Sequence, residues 1–299
     1  MGTKIDVTGI DSKLLENKGK YYRVKSLGTK LKIYSTSGSF TLPMVDELER
    51  SFEIVREKIA YLTEDKKTKK KYLNIVRFVD IHRHSEYSLF DGAARVKDIA
   101  QNTEFVGAIT DHGVMFGVIE FYQEMIKLGK MPIIGFEAYV ETIDGVKDGN
   151  HLVLLVKNQV GWENACKLIS LAEENVYRKP HISLEMLEEY GEGLICTSAC
   201  LGGEVSQLLL NYQYDKALEV VENYQSIFGD DFYLEIQRHN IEDEEIVNPQ
   251  LVKLSKETGV KLIGTIDSHF IKEEDSFAHE VLLAIGTKAK ISDENRYKF

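Results

Sequence analysis

From residue 79 onward, short near-continuous apolar runs alternate with longer stretches in which apolar residues recur every three or four positions. The first kind reads as strands buried on both faces and the second as amphipathic helices. Seven segments qualify as strands: RFVDIHRH, FVGAITDH, MPIIGFEAYVE, HLVLLVKN, GLICTSAC, FYLEIQRHN and KLIGTIDSH. Helical patterns lie between them, among them VMFGVIEFYQEMIKLG, GWENACKLISLAEEN, YDKALEVVENYQSIFG and DEEIVNPQLVKLSKETG. Such alternation predicts an α/β fold over residues 79–299, an irregular seven-stranded (β/α)7 barrel, with an open doubly wound sheet as the alternative. Residues 1–78 differ. YYRVKSLG and KLKIYSTSGSFTLP alternate polar and apolar positions, as two or three antiparallel strands would. MVDELERSFEIVREKIAYL then has the helical period, with Val45, Leu48, Phe52, Val55, Ile59 and Leu62 on one stripe. A small α+β extension is therefore expected before the barrel.

Composition narrows the function. With 43% apolar and 28% charged residues, the 299-residue chain is an ordinary globular protein. No run approaches the length of a membrane span, and the N-terminus lacks the apolar core of a secretory signal. Three cysteines, Cys166, Cys196 and Cys200, make no paired framework, so a reducing, cytoplasmic setting is expected. The net charge of −11 excludes a nucleic-acid grip based on overall positive charge. Contacts with phosphate must be local or carried by metal ions. Five lysines between Lys66 and Lys71 read as a solvated linker.

Candidate chemistry gathers at the strand ends. His82-Arg83-His84 closes the first strand, Thr110-Asp111-His112 the second, and Glu137 lies near the end of the third. His151 opens the fourth strand, Cys200 follows the fifth, and Asp267-Ser268-His269 ends the seventh. The C-terminal strand ends of a β/α barrel form one rim, where active sites sit. Side chains at i and i+2 of a strand share a face, so His82 and His84 can grip one ion, and so can Asp267 and His269. Imidazole suits zinc and its neighbours, a carboxylate such as Glu137 can bridge two ions, and a Cys200 thiolate favours zinc while leaving manganese or iron open. Arg238 and His239, at the end of the sixth strand, are candidates for a substrate phosphate. His181 and His279 read as surface or packing residues, and Cys166 and Cys196 as small buried hydrophobes. Leu201-Gly202-Gly203-Glu204 lacks the P-loop pattern and reads as a turn before a helix. No G-x-S-x-G elbow is present, so a serine hydrolase is unsupported.

Together these motifs resemble the polymerase and histidinol phosphatase (PHP) family. The matching stretches include HRHSEYSLFDGAARVKDI, AITDHGVMFGVIEFYQEMIKLGKMPIIGFEAYV, CTSACLGGEVSQLLL and FYLEIQRHNIEDEEIVNPQLVKLSKETGVKLIGTIDSHF, and they span about 79–299. The Y-S-L-x-D-G element and the P-I-I-G-x-E-A-Y run resemble the branch found in C-family replicative DNA polymerases. The resemblance adds Asp91, which spacing alone would leave as a turn residue, and implies nine metal ligands. One ion would see His82, His84, Glu137 and Asp267; a second Glu137, His151 and Cys200; a third Asp91, His112 and His269. It implies three divalent ions, zinc first with manganese or iron also compatible, and a metal-dependent phosphoesterase. Glu137 and His112 would be at its catalytic heart, with Arg238 and His239 toward the substrate. The expected reaction is 3′→5′ exonucleolytic hydrolysis of single-stranded or mismatched DNA ends, with the rest of a polymerase and its replisome subunits as partners and no membrane. A non-catalytic brace and a small-molecule phosphatase are the alternatives. The family's histidine motif usually lies near the N-terminus, whereas 81 residues precede it here. The polymerase palm is not expected within these 299 residues.

Overall fold

The computed structural model describes residues 21–26, 31–35, 78–104, 106–145, 149–177, 179–294 and 296. In the extension, β1 (Tyr21–Ser26) and β2 (Leu31–Ser35) pair antiparallel. The helix expected over 44–62 and the lysine run lie outside the described residues.

The main body is built on a six-stranded sheet. Its strands are β3 (Val106–Ile109), β4 (Met131–Val140), β5 (Asn150–Val156), β8 (Leu194–Thr197), β9 (Phe232–Ile236) and β10 (Lys261–Gly264). Their spatial order is β10-β9-β8-β5-β4-β3. Between β5 and β8 a short ribbon is inserted, β6 (Val176–Tyr177) with β7 (Lys179–Pro180). Helices α1 (Val96–Asn102), α2 (Val118–Lys127), α3 (Gln159–Glu174), α4 (Leu184–Tyr190), α5 (Glu204–Leu210), α6 (Tyr214–Phe228), α7 (Glu242–Thr258) and α8 (Ser276–Gly286) connect or follow the strands. The α/β class and the curled sheet agree with the sequence pattern.

Apolar runs in β5, β8 and β9 are explained by burial on both faces, whereas β10, at the sheet edge, leaves Leu262 exposed. In β5, Leu152, Leu154 and Val156 pack into the large outer core with α3, α5, α6 and α7. Val153 and Leu155, pointing the other way, join Ile81, Ala108, Ile133 and Ala199 inside the curl. Helix α6 contributes Ala217, Val220, Val221, Tyr224 and Phe228 to the outer core, a stripe at helical spacing. Asn158 and Ser183 cap α3 and α4 by accepting from the backbone N–H groups of Gly161 and Met186.

Two features depart from a regular parallel barrel. First, β5 runs antiparallel to both neighbours, β4 and β8, whereas β3/β4, β8/β9 and β9/β10 are parallel. This reversal puts the N-terminal end of β5, and hence His151, at the rim formed by the C-terminal ends of the other strands. Second, residues 78–84, the described part of the expected strand RFVDIHRH, form only an isolated bridge, Arg83 to Ser268. Side chains capture backbone groups a ladder would use: the Asp80 carboxylate accepts from His82 N at 3.3 Å and Thr110 Oγ1 from Arg83 N at 2.8 Å. The segment still joins both sheet edges. His84 N donates to Ser268 O past β10 at 2.9 Å, and Thr110 N, past β3, donates to Arg83 O at 2.8 Å. The curl is thereby closed at the ligand end.

Candidate metal centre

All nine expected ligand residues come together at this rim, most of them in the turns just beyond the strands. Glu137 is at the middle, on the inner face of β4, with no exposed surface. Its Oε1 is 3.2 Å from His82 Nε2 and 2.8 Å from His151 Nδ1; its Oε2 is 3.4 Å from His84 Nε2 and 2.6 Å from His112 Nδ1. Asp267 Oδ1 approaches His82 Nε2 at 3.3 Å and His84 Nε2 at 3.1 Å. Cys200 Sγ is 3.5 Å from His151 Nδ1 and 3.8 Å from Glu137 Oε1. Asp91 Oδ2 is 3.0 Å from His112 Nε2 and 3.3 Å from His269 Nε2.

Local backbone chemistry explains how the turns aim these groups. Asp267 and Ala199 adopt left-handed φ angles of 46° and 58°. Aspartate tolerates that region, and for alanine it costs about 1–2 kcal/mol that the surrounding packing must offset. A side chain at Gly202 would come within 2.9–3.2 Å of the His151 ring, and one at Gly92 within 1.8 Å of Ser85 O. Bare backbone at these two positions lets His151 and the Asp91 turn sit where they do.

A further set of buried groups fixes the histidines. Glu235, on the inner face of β9, accepts from His82 Nδ1 at 2.8 Å and from Gln237 Nε2 at 2.8 Å, and it contacts the hydroxyls of Thr197 and Thr265. His84 Nδ1 donates to Ser88 Oγ at 2.9 Å; Ser88 in turn donates to Asp111 Oδ1 at 2.8 Å. His269 Nδ1 donates to the Asp267 carbonyl at 2.8 Å. Each bond leaves the opposite ring nitrogen, Nε2, with its lone pair toward the centre, as ligating histidines require. His279 is buried and places Nε2 3.2 Å from Asp91 Oδ1, so it packs as expected but also positions an expected ligand. Glu235 and Asp111 were not singled out from sequence. Their signal was present: a charged residue within the buried strand FYLEI, and an aspartate followed directly by a ligand histidine.

Electrostatics show which charge the cluster suits. Burial opposes charge throughout, yet His151, His82 and His112 hold Glu137 well below the usual carboxylate range. Burial likewise opposes charge on Asp91, but hydrogen bonds from His112, His269 and His279 push its pKa down. Against its own burial, His112 is raised to about 10 by Glu137 and Asp91. His84 falls to about 3, because it is buried and faces His112 and His269. Burial, with Glu137 and Asp267 nearby, raises the Cys200 thiol. Three carboxylates thus draw positive charge into a closed space. His82 Nε2, His84 Nε2, His112 Nδ1, Glu137 Oε2 and Asp267 Oδ1 are buried and make no hydrogen bond, although ionisable neighbours surround them. Orphaned donor atoms converging in this way fit divalent cations. Three groups have ligand atoms within 4.8 Å of one another: His82-His84-Asp267, His112-Glu137-His151 and His84-His112-His269.

The chain matches the model of the PHP domain over residues 80–239. It belongs to that family. DNA polymerase III subunit alpha of Borreliella burgdorferi is 46% identical over 235 residues, 74% of this chain and 20% of that protein. The same subunit from Deinococcus radiodurans is 40% identical over 243 residues, 75% of this chain and 18% of that protein. This PHP chain therefore spans about a fifth of the length of the curated relatives it matches. An amidohydrolase structure from Chromobacterium violaceum is similar at 16% identity over 65% of this chain and 88% of that one, with a TM-score of 0.42.

Other expected residues stand apart from the PHP centre. Arg238 is exposed on the turn after β9, and His239 is engaged by Glu244 Oε1 at 2.6 Å and the Ile266 carbonyl at 2.8 Å. Neither joins the ligand cluster. Cys196 is buried as expected, whereas Cys166 is exposed on α3 and does not pack inward. No helix among the described residues is long and apolar enough to cross a membrane.

Proposed function

We propose that this chain is the PHP portion of a DNA polymerase III alpha subunit, and that its centre hydrolyses phosphodiester bonds at single-stranded or mismatched 3′ ends of DNA. The reading places it in the cytoplasm with the polymerase and its replisome partners. One observation carries it: five buried donor atoms on His82, His84, His112, Glu137 and Asp267 converge without hydrogen bonds. His82, His84, Glu137 and Asp267 would hold one ion. Glu137, His151 and Cys200 would hold a second, and Asp91, His112 and His269 a third. Zinc suits this donor set best, with manganese or iron compatible. When bound, such ions polarise a phosphoryl oxygen and lower the pKa of water.

The chain's own residues supply order and access. Glu235, Ser88 and the Asp267 carbonyl fix three histidine tautomers before any ligand arrives. His82, His84, Glu137 and Asp267 are sealed, their side chains at most 5% exposed, whereas Asp91, His112 and His151 are 25%, 15% and 20% exposed. Substrate would therefore enter from the Asp91–His112–His151 side, and His112 would stand between phosphate and Glu137. The sealed set also favours a second reading, a metal-holding brace with little turnover.

Metal analysis of the purified chain, followed by nuclease and phosphomonoester assays with each metal, separates the readings. The expected result is metal-dependent shortening of single-stranded 3′ ends, lost in His112→Ala. No turnover at verified loading with zinc, manganese, iron or cobalt leaves the brace.

A further inference from the structure

The centre is anionic and histidine-rich, and the arginine expected to meet the substrate is elsewhere. Another cation stands beside it. Lys179, on β7, puts Nζ 3.9 Å from the centroid of the Tyr139 ring. Tyr139 follows Glu137 by two residues on the same face of β4, and its ring centroid is 5.9 Å from that of His112 and 5.4 Å from that of His151. Lys179 is thus one aromatic ring away from the exposed side of the metal centre. The chain just beyond β7 is fastened there: Ile182 N donates to Tyr139 O at 2.9 Å, and Glu141 N donates to Ile182 O at 3.1 Å.

We propose that Lys179 receives a phosphate oxygen of the substrate, so that the anion spans the ammonium group and the metal centre. The proposal rests on the phosphodiesterase reading above and adds a recognition residue to it. Among the described residues, Lys179 Nζ has no ion pair or hydrogen bond; its contact is the face of Tyr139. Burial lowers the pKa of Lys179, and the negative charges that oppose this are Glu137 and Asp91, which the histidines already engage and which bound cations would neutralise. Among the described residues, a loaded centre leaves this ammonium without a counter-charge, and an anion between the two satisfies both.

Beside it lies a polar recess. His181 is 1% exposed, its Nδ1 donates to the Lys179 carbonyl at 2.6 Å, and its Nε2 is buried without a partner. Gly149 faces the same spot: a side chain there would begin 3.7 Å from His181 Nε2, 3.6 Å from Lys179 Cδ and 3.5 Å from Tyr139 Cδ1. Among the described residues, an ammonium without an ion pair therefore lies beside a position without a side chain, with a buried ring nitrogen behind it. A phosphate seated there would accept from Lys179 Nζ; His181, whose Nδ1 hydrogen is already given to the Lys179 carbonyl, would hold that turn in place.

The test titrates inorganic phosphate into the metal-loaded full chain by calorimetry, for the wild type, Lys179→Ala, Lys179→Gln and Lys179→Arg. Metal content, melting temperature and hydrolysis of a single-stranded oligonucleotide are measured in parallel. Loss of one charge-assisted bond predicts about tenfold weaker phosphate binding in the Ala and Gln variants. It also predicts a matching rise in KM, unchanged metal content and substantial recovery with Arg. Wild-type phosphate affinity in both Ala and Gln variants overturns the proposal, as does a loaded wild type that binds no phosphate. Lys179-dependent phosphate binding without any hydrolysis upholds the proposal and sinks the phosphodiesterase reading instead.

Discussion

Glu235→Gln tests whether the buried layer behind the centre sets its affinity for metal. The carboxylate touches no expected ion. It receives His82 Nδ1 and Gln237 Nε2, each at 2.8 Å, and the hydroxyls of Thr197 and Thr265, and it is 2% exposed. An amide of the same shape can keep its oxygen where Oε1 stands, facing His82 Nδ1, Gln237 Nε2 and the Thr265 hydroxyl, and turn its NH2 to Thr197, which met Oε2. The Thr197 hydroxyl can rotate to accept, but the acceptor facing His82 is now neutral. The bond that orients His82 Nε2 toward Glu137 and Asp267 loses its charge assistance, and the imidazole becomes a weaker donor to an ion. Altering such an outer partner typically lowers metal affinity by about 10–100-fold, equivalent to roughly 1.4–2.7 kcal/mol. Competition with a chelating dye, at fixed pH, reads this directly for zinc or manganese. Thr265→Val is the control, since it removes one donor and keeps the carboxylate; its affinity should stay within about threefold. An affinity for Glu235→Gln within twofold of wild type would refute the reasoning and make Glu235 a packing element of β9.

Chelation should lower the melting temperature, by about 5–10 °C for each site held at a hundredfold excess over its dissociation constant. Glu137→Gln should cost more of that stabilisation than His151→Ala, because Glu137 approaches four histidines while His151 approaches one carboxylate, Glu137, beside Cys200 and the His112 ring; calorimetric melts with and without metal decide it. Glu204, at the start of α5, is buried and accepts from Ile143 N at 2.8 Å, and burial pushes its pKa up to about 7. The folded chain therefore keeps a proton that the unfolded chain releases near pH 4.5, so stability falls as pH rises across that window, by up to about 3 kcal/mol. Glu204→Gln should melt higher than wild type at pH 8 and alike at pH 5; parallel melting at both values would contradict this account.

Much of the molecule was legible in one dimension because its inner strands are buried on both faces. Runs such as HLVLLVK and FYLEI can satisfy that environment and little else, so strand positions, connecting helices and the α/β class followed from pattern alone. Histidine and carboxylate motifs ending successive strands pointed to one rim for a similar reason, since a barrel collects strand ends. Asp91 was different: within FDG it reads as a turn residue, and only the family resemblance marked it as a ligand. What the tertiary structure decided depends on contacts between distant segments. No local signal says that β5 runs backward, yet that reversal brings His151 to the rim. The described part of the strand-like RFVDIHRH, residues 78–84, forms no ladder: Asp80 and Thr110 side chains capture the donors of His82 and Arg83. Glu235 meets His82 across 153 positions, and Lys179 reaches Tyr139 through a two-residue strand too short to leave a pattern. Periodicity records which face of an element is dry, but partners across the fold are set by packing, and the histidine tautomers and the cation at the mouth belong to that second kind of information.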